Sequence, residues 1–180
     1  MDGEAWRTVP DDVVIRCGLA PGVALERPLL RRLRAELRRS EALVVAGRAL
    51  RRRDLSRRRL GERLDRAGVA PAAEQSALAA LVQAGAVDDA RLARTRACSL
   101  AERGWGNAAI AERLQREGVG ESDIEQALAG LDPERDRGAR LVASLGPAKA
   151  WALLSRRGFD PETIEALVDP LDGAEFGGLG

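Results

Sequence analysis

Apolar residues recur at three- and four-residue spacings along most of this chain, the period of one buried helix face. Leu60 and Leu64 form one such pair, Ile110 and Leu114 a second, Ala150 and Leu154 a third and weaker one. Each pair runs into a glycine followed by an apolar residue: Gly68-Val69, Gly118-Val119 and Gly158-Phe159. A glycine just past a helix turns left-handed without a Cβ penalty, and the apolar residue after it folds back onto the leucine. Ten residues beyond each glycine stands another aliphatic, Leu78, Leu128 and Val168. The recurrence predicts a tandem helical repeat. Such an array offers a long surface to a partner rather than a pocket to a substrate.

The remaining pattern divides the chain. Over residues 5–17, Trp6, Thr8 and Val9, then Val13, Val14 and Ile15, are β-formers parted by Pro10-Asp11-Asp12, which predicts a short hairpin. A loop follows to Glu26. Pro28 opens a helix to about Arg38, and Ser40 caps a second to about Arg53. Hairpin and two helices make an N-terminal region, 1–54. A first three-helix repeat spans 55–105: Ser56 caps a helix ending at Gly68, Pro71 opens one ending near Gly85, and Asp88-Asp89 starts one reaching about Arg103. A second repeat, 106–145, has helices from Asn107 to Gly118, from Glu121 to Gly130, and from Asp132-Pro133 to Leu145. A third, 146–170, starts at Gly146-Pro147, restarts at Asp160-Pro161 and is truncated to two helices. The Gly-rich stretch 171–180 reads as a disordered tail. Trp151 is expected to pack beside the last apolar stripe, and Trp105 to wedge the joint of repeats one and two. The fold class is mainly α, with tandem three-helix repeats and a short N-terminal β-hairpin.

Composition narrows the chemistry. The 180 residues are 45% hydrophobic but only 3% aromatic, with neither histidine nor tyrosine. Without histidine the commonest general base and metal ligand is missing. No P-loop occurs, and Gly104-Trp105-Gly106 lacks the third glycine and the strand of a nucleotide fingerprint. Asp88-Asp89 is better explained by helix capping than by metal binding. Cys17 and Cys98 have no metal-ligand spacing and suit a buried or incidental thiol. The chain reads as a non-enzyme with no catalytic residue, cofactor or metal. No apolar run approaches a membrane span, and Met1-Asp2-Gly3-Glu4 begins no signal peptide, so a soluble, cytoplasmic protein is expected.

A net charge of +1 conceals a strong asymmetry. From Arg27 to Arg66 there are 15 Arg against 5 Asp and Glu, a balance of +10; the rest carries 14 basic and 23 acidic residues, a balance of −9. Codon bias explains Arg over Lys but not the clustering. A solvated face, partly balanced by Glu36, Glu41, Glu62 and Asp65, accounts for some of it. The local surplus favours a patch for phosphates or for an acidic protein surface, because guanidinium forks two hydrogen bonds to either. The candidate binding residues are Arg48, Arg51, Arg52, Arg53, Arg57, Arg58, Arg59, Arg63 and Arg66. Sequence-specific DNA reading by a helix-turn-helix is disfavoured. The would-be recognition helices begin Pro71-Ala72-Ala73-Glu74, Glu121-Ser122-Asp123 and Pro161-Glu162-Thr163, with no basic residue in their opening turns. Sequence-independent contact with single- or double-stranded DNA survives that objection.

Over about 55–128 the chain resembles the RecX family, regulators of the RecA recombinase. The resemblance is carried by Leu55-Ser56 leading to Leu64 and Gly68-Val69, by Gly85-Ala86-Val87-Asp88-Asp89-Ala90-Arg91-Leu92-Ala93, and by Gly106. It continues through Ile110-Ala111-Glu112-Arg113-Leu114, Gly118-Val119 and Ile124-Glu125-Gln126-Ala127-Leu128. A weaker match through Leu153-Leu154, Gly158-Phe159 and Ile164 extends it to about 168. The resemblance implies an elongated arc of three-helix units lying in the groove of the RecA–DNA filament. Such a regulator blocks filament extension or promotes disassembly, damping ATPase, strand exchange and co-protease activity in DNA repair, recombination and the SOS response. The expected partner is the RecA filament and the expected state a monomer. The alternative is a nucleic-acid-binding helical module acting through the Arg-rich patch alone. The position before each corner glycine, often basic in the family, is Ala67, Glu117 and Arg157 here, so only the last corner keeps that charge.

Overall fold

The computed structural model describes residues 8–168, and the described residues contain ten helices and no strand. They are α1 (Asp11–Cys17), α2 (Arg27–Leu50), α3 (Arg57–Arg66), α4 (Pro71–Gln83), α5 (Asp89–Glu102), α6 (Asn107–Arg116), α7 (Glu121–Ala129), α8 (Glu134–Leu145), α9 (Pro147–Arg156) and α10 (Pro161–Val168). The chain divides into two compact units, one up to Asp88 and one from Asp89 onward.

The glycine corners form as the pattern requires. Gly68, Gly118 and Gly158 have φ of +75°, +85° and +70°. Beyond them the Val69, Val119 and Phe159 amides donate to the Leu64, Leu114 and Leu154 carbonyls, each at 3.1 Å. The glycine amides donate to Asp65, Gln115 and Ser155, which completes a Schellman motif at all three corners. The stripe residues Leu60, Leu64, Ile110, Leu114, Ala150 and Leu154 are fully buried.

The helices group into bundles differently from the sequence expectation. In the first unit α2, α3 and α4 pack on one another; in the second, α5, α6 and α7 do so, and then α8, α9 and α10. The helix expected to close each repeat instead opens the next one. Repeats at 55–105 and 106–145 therefore give way to α2–α4 and α5–α7. The last bundle is not truncated, because α8 is its first helix. Periodicity finds each amphipathic helix but does not say which neighbours share its core. A repeat read from its glycine corners also has no marked starting helix.

Three further expectations are corrected. Val13, Val14 and Ile15 lie in α1, not in a hairpin; Trp6 of the other proposed strand lies outside the described residues. Helix wins there because Val13 and Cys17, one turn apart, bury against Leu33 and Leu37 of α2. Asp11 and Asp12 sit at the positive end of α1, and Arg16 bonds Asp12 and Glu36. Second, Ser40 does not cap a helix, since α2 runs unbroken for 24 residues. Its stripe of Leu33, Leu37, Ala42, Ala46 and Ala49 continues past Ser40 with no proline to stop it, and carries the helix through Gly47 as well. Third, Trp151 is 53% exposed. Ala150 and Leu154 face the core, and Trp151 is turned about 100° away from Ala150 around the helix. The proposed tail, 171–180, lies outside the described residues.

Ser56 caps α3 as expected, accepting from the Arg59 amide at 3.2 Å. Asn107 does not cap α6. Its side-chain oxygen accepts instead from Arg137 of α8, and the cap position belongs to Gly106.

Candidate functional site

The candidate arginines all fall on the C-terminal end of α2, the turn after it and α3. Arg48 is exposed on the last turn of α2, and Arg51, Arg52 and Arg53 are exposed in the connecting turn. Arg57, Arg58 and Arg66 are exposed on α3, with Arg59 and Arg63 half-buried. The backbone is rigidly supported beneath them. Ala46 and Ala49 of α2, Leu55, and Leu60 and Leu64 of α3 share one buried cluster with Leu78 and Val87.

Electrostatically the patch has two parts. On α3, Glu62 accepts a hydrogen bond from Arg59 at 2.7 Å and forms longer ion pairs with Arg66 at 3.6 Å and Arg58 at 3.7 Å. The Arg59 hydrogen bond is the main reason the Glu62 carboxyl is held below its ordinary value of 4.5, against the opposing effect of desolvation. In contrast, Arg48, Arg51, Arg52 and Arg53 form no ion pair among the described residues. The first turn of α3 carries three arginines and no acidic residue. That places cations at the positive end of the helix dipole, an unfavourable local arrangement that an anion would relieve.

The Glu62 hub has a pH signature. A carboxyl whose folded value is lowered stabilises the fold above its unfolded value, and that contribution is lost as pH falls through the folded value. An NMR titration of the Glu62 side chain is expected to show a midpoint below 4.5, and Arg59→Gln is expected to move it upward. A midpoint unaffected by Arg59→Gln would remove the hub from the description of the patch.

Two arginines of the second unit bond into the fold, Arg137 buried and Arg157 half-buried. Arg137 is only 5% exposed. It donates to the carbonyls of Trp105 at 2.7 Å and Asp132 at 3.0 Å, and burial pushes its pKa below the ordinary arginine value. Sequence reasoning missed it. The signal was present: Arg137 stands one turn before Leu141 on the buried line of α8, where an arginine needs polar partners. Arg157, the one basic residue before a corner glycine, donates to the carbonyls of Arg103 at 2.9 Å and Gly104 at 3.3 Å. Its charge is therefore engaged within the fold. Trp105 is half-buried against the α5–α7 core, with the Arg113 guanidinium 4.3 Å above its ring.

A family profile described as RecX, second three-helix domain, matches residues 88–128, which brackets α5 to α7. A regulatory protein RecX from Halorhodospira halophila is 33% identical over 145 residues, covering 74% of this chain and 90% of that relative. The chain belongs to the RecX family. The RecX of Deinococcus radiodurans is 30% identical over 154 residues, covering 79% of this chain and 74% of its own length. Among solved structures, a crystal structure of regulatory protein RecX superposes with a TM-score of 0.75 at 19% identity, covering 89% of this chain and 86% of the other. RecX from Lactobacillus salivarius gives 0.67 at 17% identity, over 75% and 97%. At these identities the likeness establishes the helical fold. The profile boundary agrees with α5 as the opening helix of a bundle.

No helix among the described residues is long and apolar enough to cross a membrane.

Proposed function

We propose that this protein is a cytoplasmic, monomeric, non-enzymatic regulator that binds the RecA–DNA filament and damps recombinase activity in DNA repair and the SOS response. Membership of the RecX family carries the reading. Three successive three-helix bundles suit it physically: repeated small units, arranged as an elongated arc along a filament groove, join modest contacts into high avidity. The expected result is that the purified protein slows DNA-dependent ATP hydrolysis by its cognate RecA at substoichiometric ratios and shortens the filaments. Unchanged hydrolysis and unchanged filament length at equal stoichiometry would reject the reading.

A second reading is favoured by Arg51, Arg52 and Arg53, which are exposed and without an ion pair among the described residues. It is sequence-independent binding of single- or double-stranded DNA through the arginine patch, with Arg48, Arg57, Arg58, Arg59, Arg63 and Arg66 contributing. The two readings are compatible, because a filament groove presents both protein and phosphate. Duplex binding by the protein without RecA separates them.

A further inference from the structure

The joint between the second and third bundles is far more polar and more closely fitted than a packing contact requires. The turn between α5 and α6 carries Gly104, Trp105 and Gly106, and the third bundle meets it through α8 and through the corner between α9 and α10. The Gly106 amide donates to the Arg157 carbonyl at 2.8 Å, and the Ala108 amide to the Gly158 carbonyl at 3.2 Å. These are amides at the start of α6, which have no partner within their own helix. The third bundle thus supplies the acceptors for that helix end. Gly158 sits with φ +70°, and an added Cβ would stand 2.7 Å from the Ala109 Cβ; at Gly106 an added Cβ would collide with the Gly158 carbonyl. Backbone meets backbone here, so the fit tolerates no side chain.

Two residues of α8, about one turn apart, clamp the joint. Glu134 accepts from the Asn107 amide and, at 3.4 Å, from the Asp160 amide, linking the start of α6 to the start of α10. Arg137 reaches the Trp105 carbonyl and the Asn107 side chain across the joint while holding the Asp132 carbonyl on its own side. Its guanidinium also lies 5.9 Å from the Phe159 ring centroid, at the third corner. Burying this charge is costly unless every donor is used. An apolar residue at 137 would pack a bundle at lower cost, but it would not fix one orientation. Directional hydrogen bonds from a planar fork define angle as well as distance.

We infer that Arg137 and Glu134 are positioning residues: they lock the third bundle to the second at one angle, so that α5–α10 meets its partner as a pre-aligned body. The locking stands on the geometry alone; its consequence for binding rests on the proposed filament reading. A pre-aligned body does not lose orientational freedom between its bundles on binding. Loosening the lock should therefore shorten the life of the complex while leaving encounter unchanged.

The test uses the full chain with Cys17→Ala, so that a spin label on exposed Cys98 of α5 pairs with one at Ser155→Cys on α9. The background is expected to give one narrow distance peak. Arg137→Met and Glu134→Ala are each expected to lose that peak to a broad distribution, with helicity retained and faster exchange of the Gly106 and Ala108 amides. On filaments of RecA and single-stranded DNA, the same variants are expected to dissociate about tenfold faster with an unchanged association rate. If Arg137→Met does not fold, Glu134→Ala decides alone. A narrow peak retained in the folded variants overturns the lock. A locked parent that does not bind filaments would defeat the filament reading and leave the lock standing.

Discussion

Leu114→Ala is expected to be the most damaging single truncation in the α5–α7 bundle, costing about 2–5 kcal/mol. Leu114 is fully buried among Leu92, Leu100, Ile110, Val119 and Ile124, drawn from α5, α6, α7 and the corner between α6 and α7. It also anchors the corner, since its carbonyl receives the Val119 amide while Val119 itself is buried. Removing the side chain leaves a cavity that three helices cannot close together without moving the corner. In a unit of this size each kcal/mol lowers the melting temperature by about 4–8 °C. The α5–α10 transition should therefore fall by at least about 8 °C in calorimetry. At the equivalent corner of the first unit Gly68→Ala should cost less, about 1–2 kcal/mol, because an added Cβ meets nothing within 4 Å and only the backbone at φ +75° is penalised. Leu145→Ala, at a position 42% exposed, should stay within about 0.5 kcal/mol. A Leu114→Ala protein as stable as Leu145→Ala would mean that the leucine–glycine corner does not organise the bundle.

That hierarchy explains which parts of the fold were readable in advance. Gly68, Gly118 and Gly158 were legible because a left-handed residue after an apolar stripe is a local requirement, met within six residues of chain. Pro71 and Ser56 were legible for the same reason. Residues 13–15 misled because β-branched side chains favour strands locally, whereas the deciding partners, Leu33 and Leu37, lie about twenty residues away. The clue was the four-residue interval between Val13 and Cys17, with acids ahead of it. Ser40 misled because a serine that suits a cap is also tolerated within a helix when the apolar stripe continues on both sides of it. The grouping of helices into bundles was not legible, since α5 is amphipathic whichever core it joins.

The arginine surplus was visible from composition, but its division was not. Glu62 lies three to five residues from Arg57, Arg58 and Arg59 in sequence, yet only geometry shows it holding Arg58, Arg59 and Arg66 at once. Nor could composition separate arginines presented to solvent from Arg137 and Arg157, which serve the joint between bundles. Charge counts treat these as equal, while burial and hydrogen bonding give them opposite roles.

The same division makes a sharp prediction for the arginine patch. If the patch engages roughly 4–6 phosphates, the log–log salt slope for duplex DNA is expected near −4 to −5. Between about 50 and 200 mM salt the affinity should then fall by roughly 250- to 1000-fold. Arg51, Arg52 and Arg53 form no ion pair among the described residues, so each is ready to replace counterions on the duplex. Changing these three to Gln is expected to flatten the slope by about 2–3. Changing Arg58, Arg59 and Arg66 to Gln removes the same formal charge but should flatten it less. Those side chains already share Glu62, and a phosphate must compete with that carboxylate for them. Fluorescence anisotropy with a short duplex across a salt series measures both slopes. Equal flattening by the two triple variants would show that Glu62 does not shield its partners. A parent slope near zero would end the reading of this face as a phosphate-binding surface and leave acidic protein as the surface it suits.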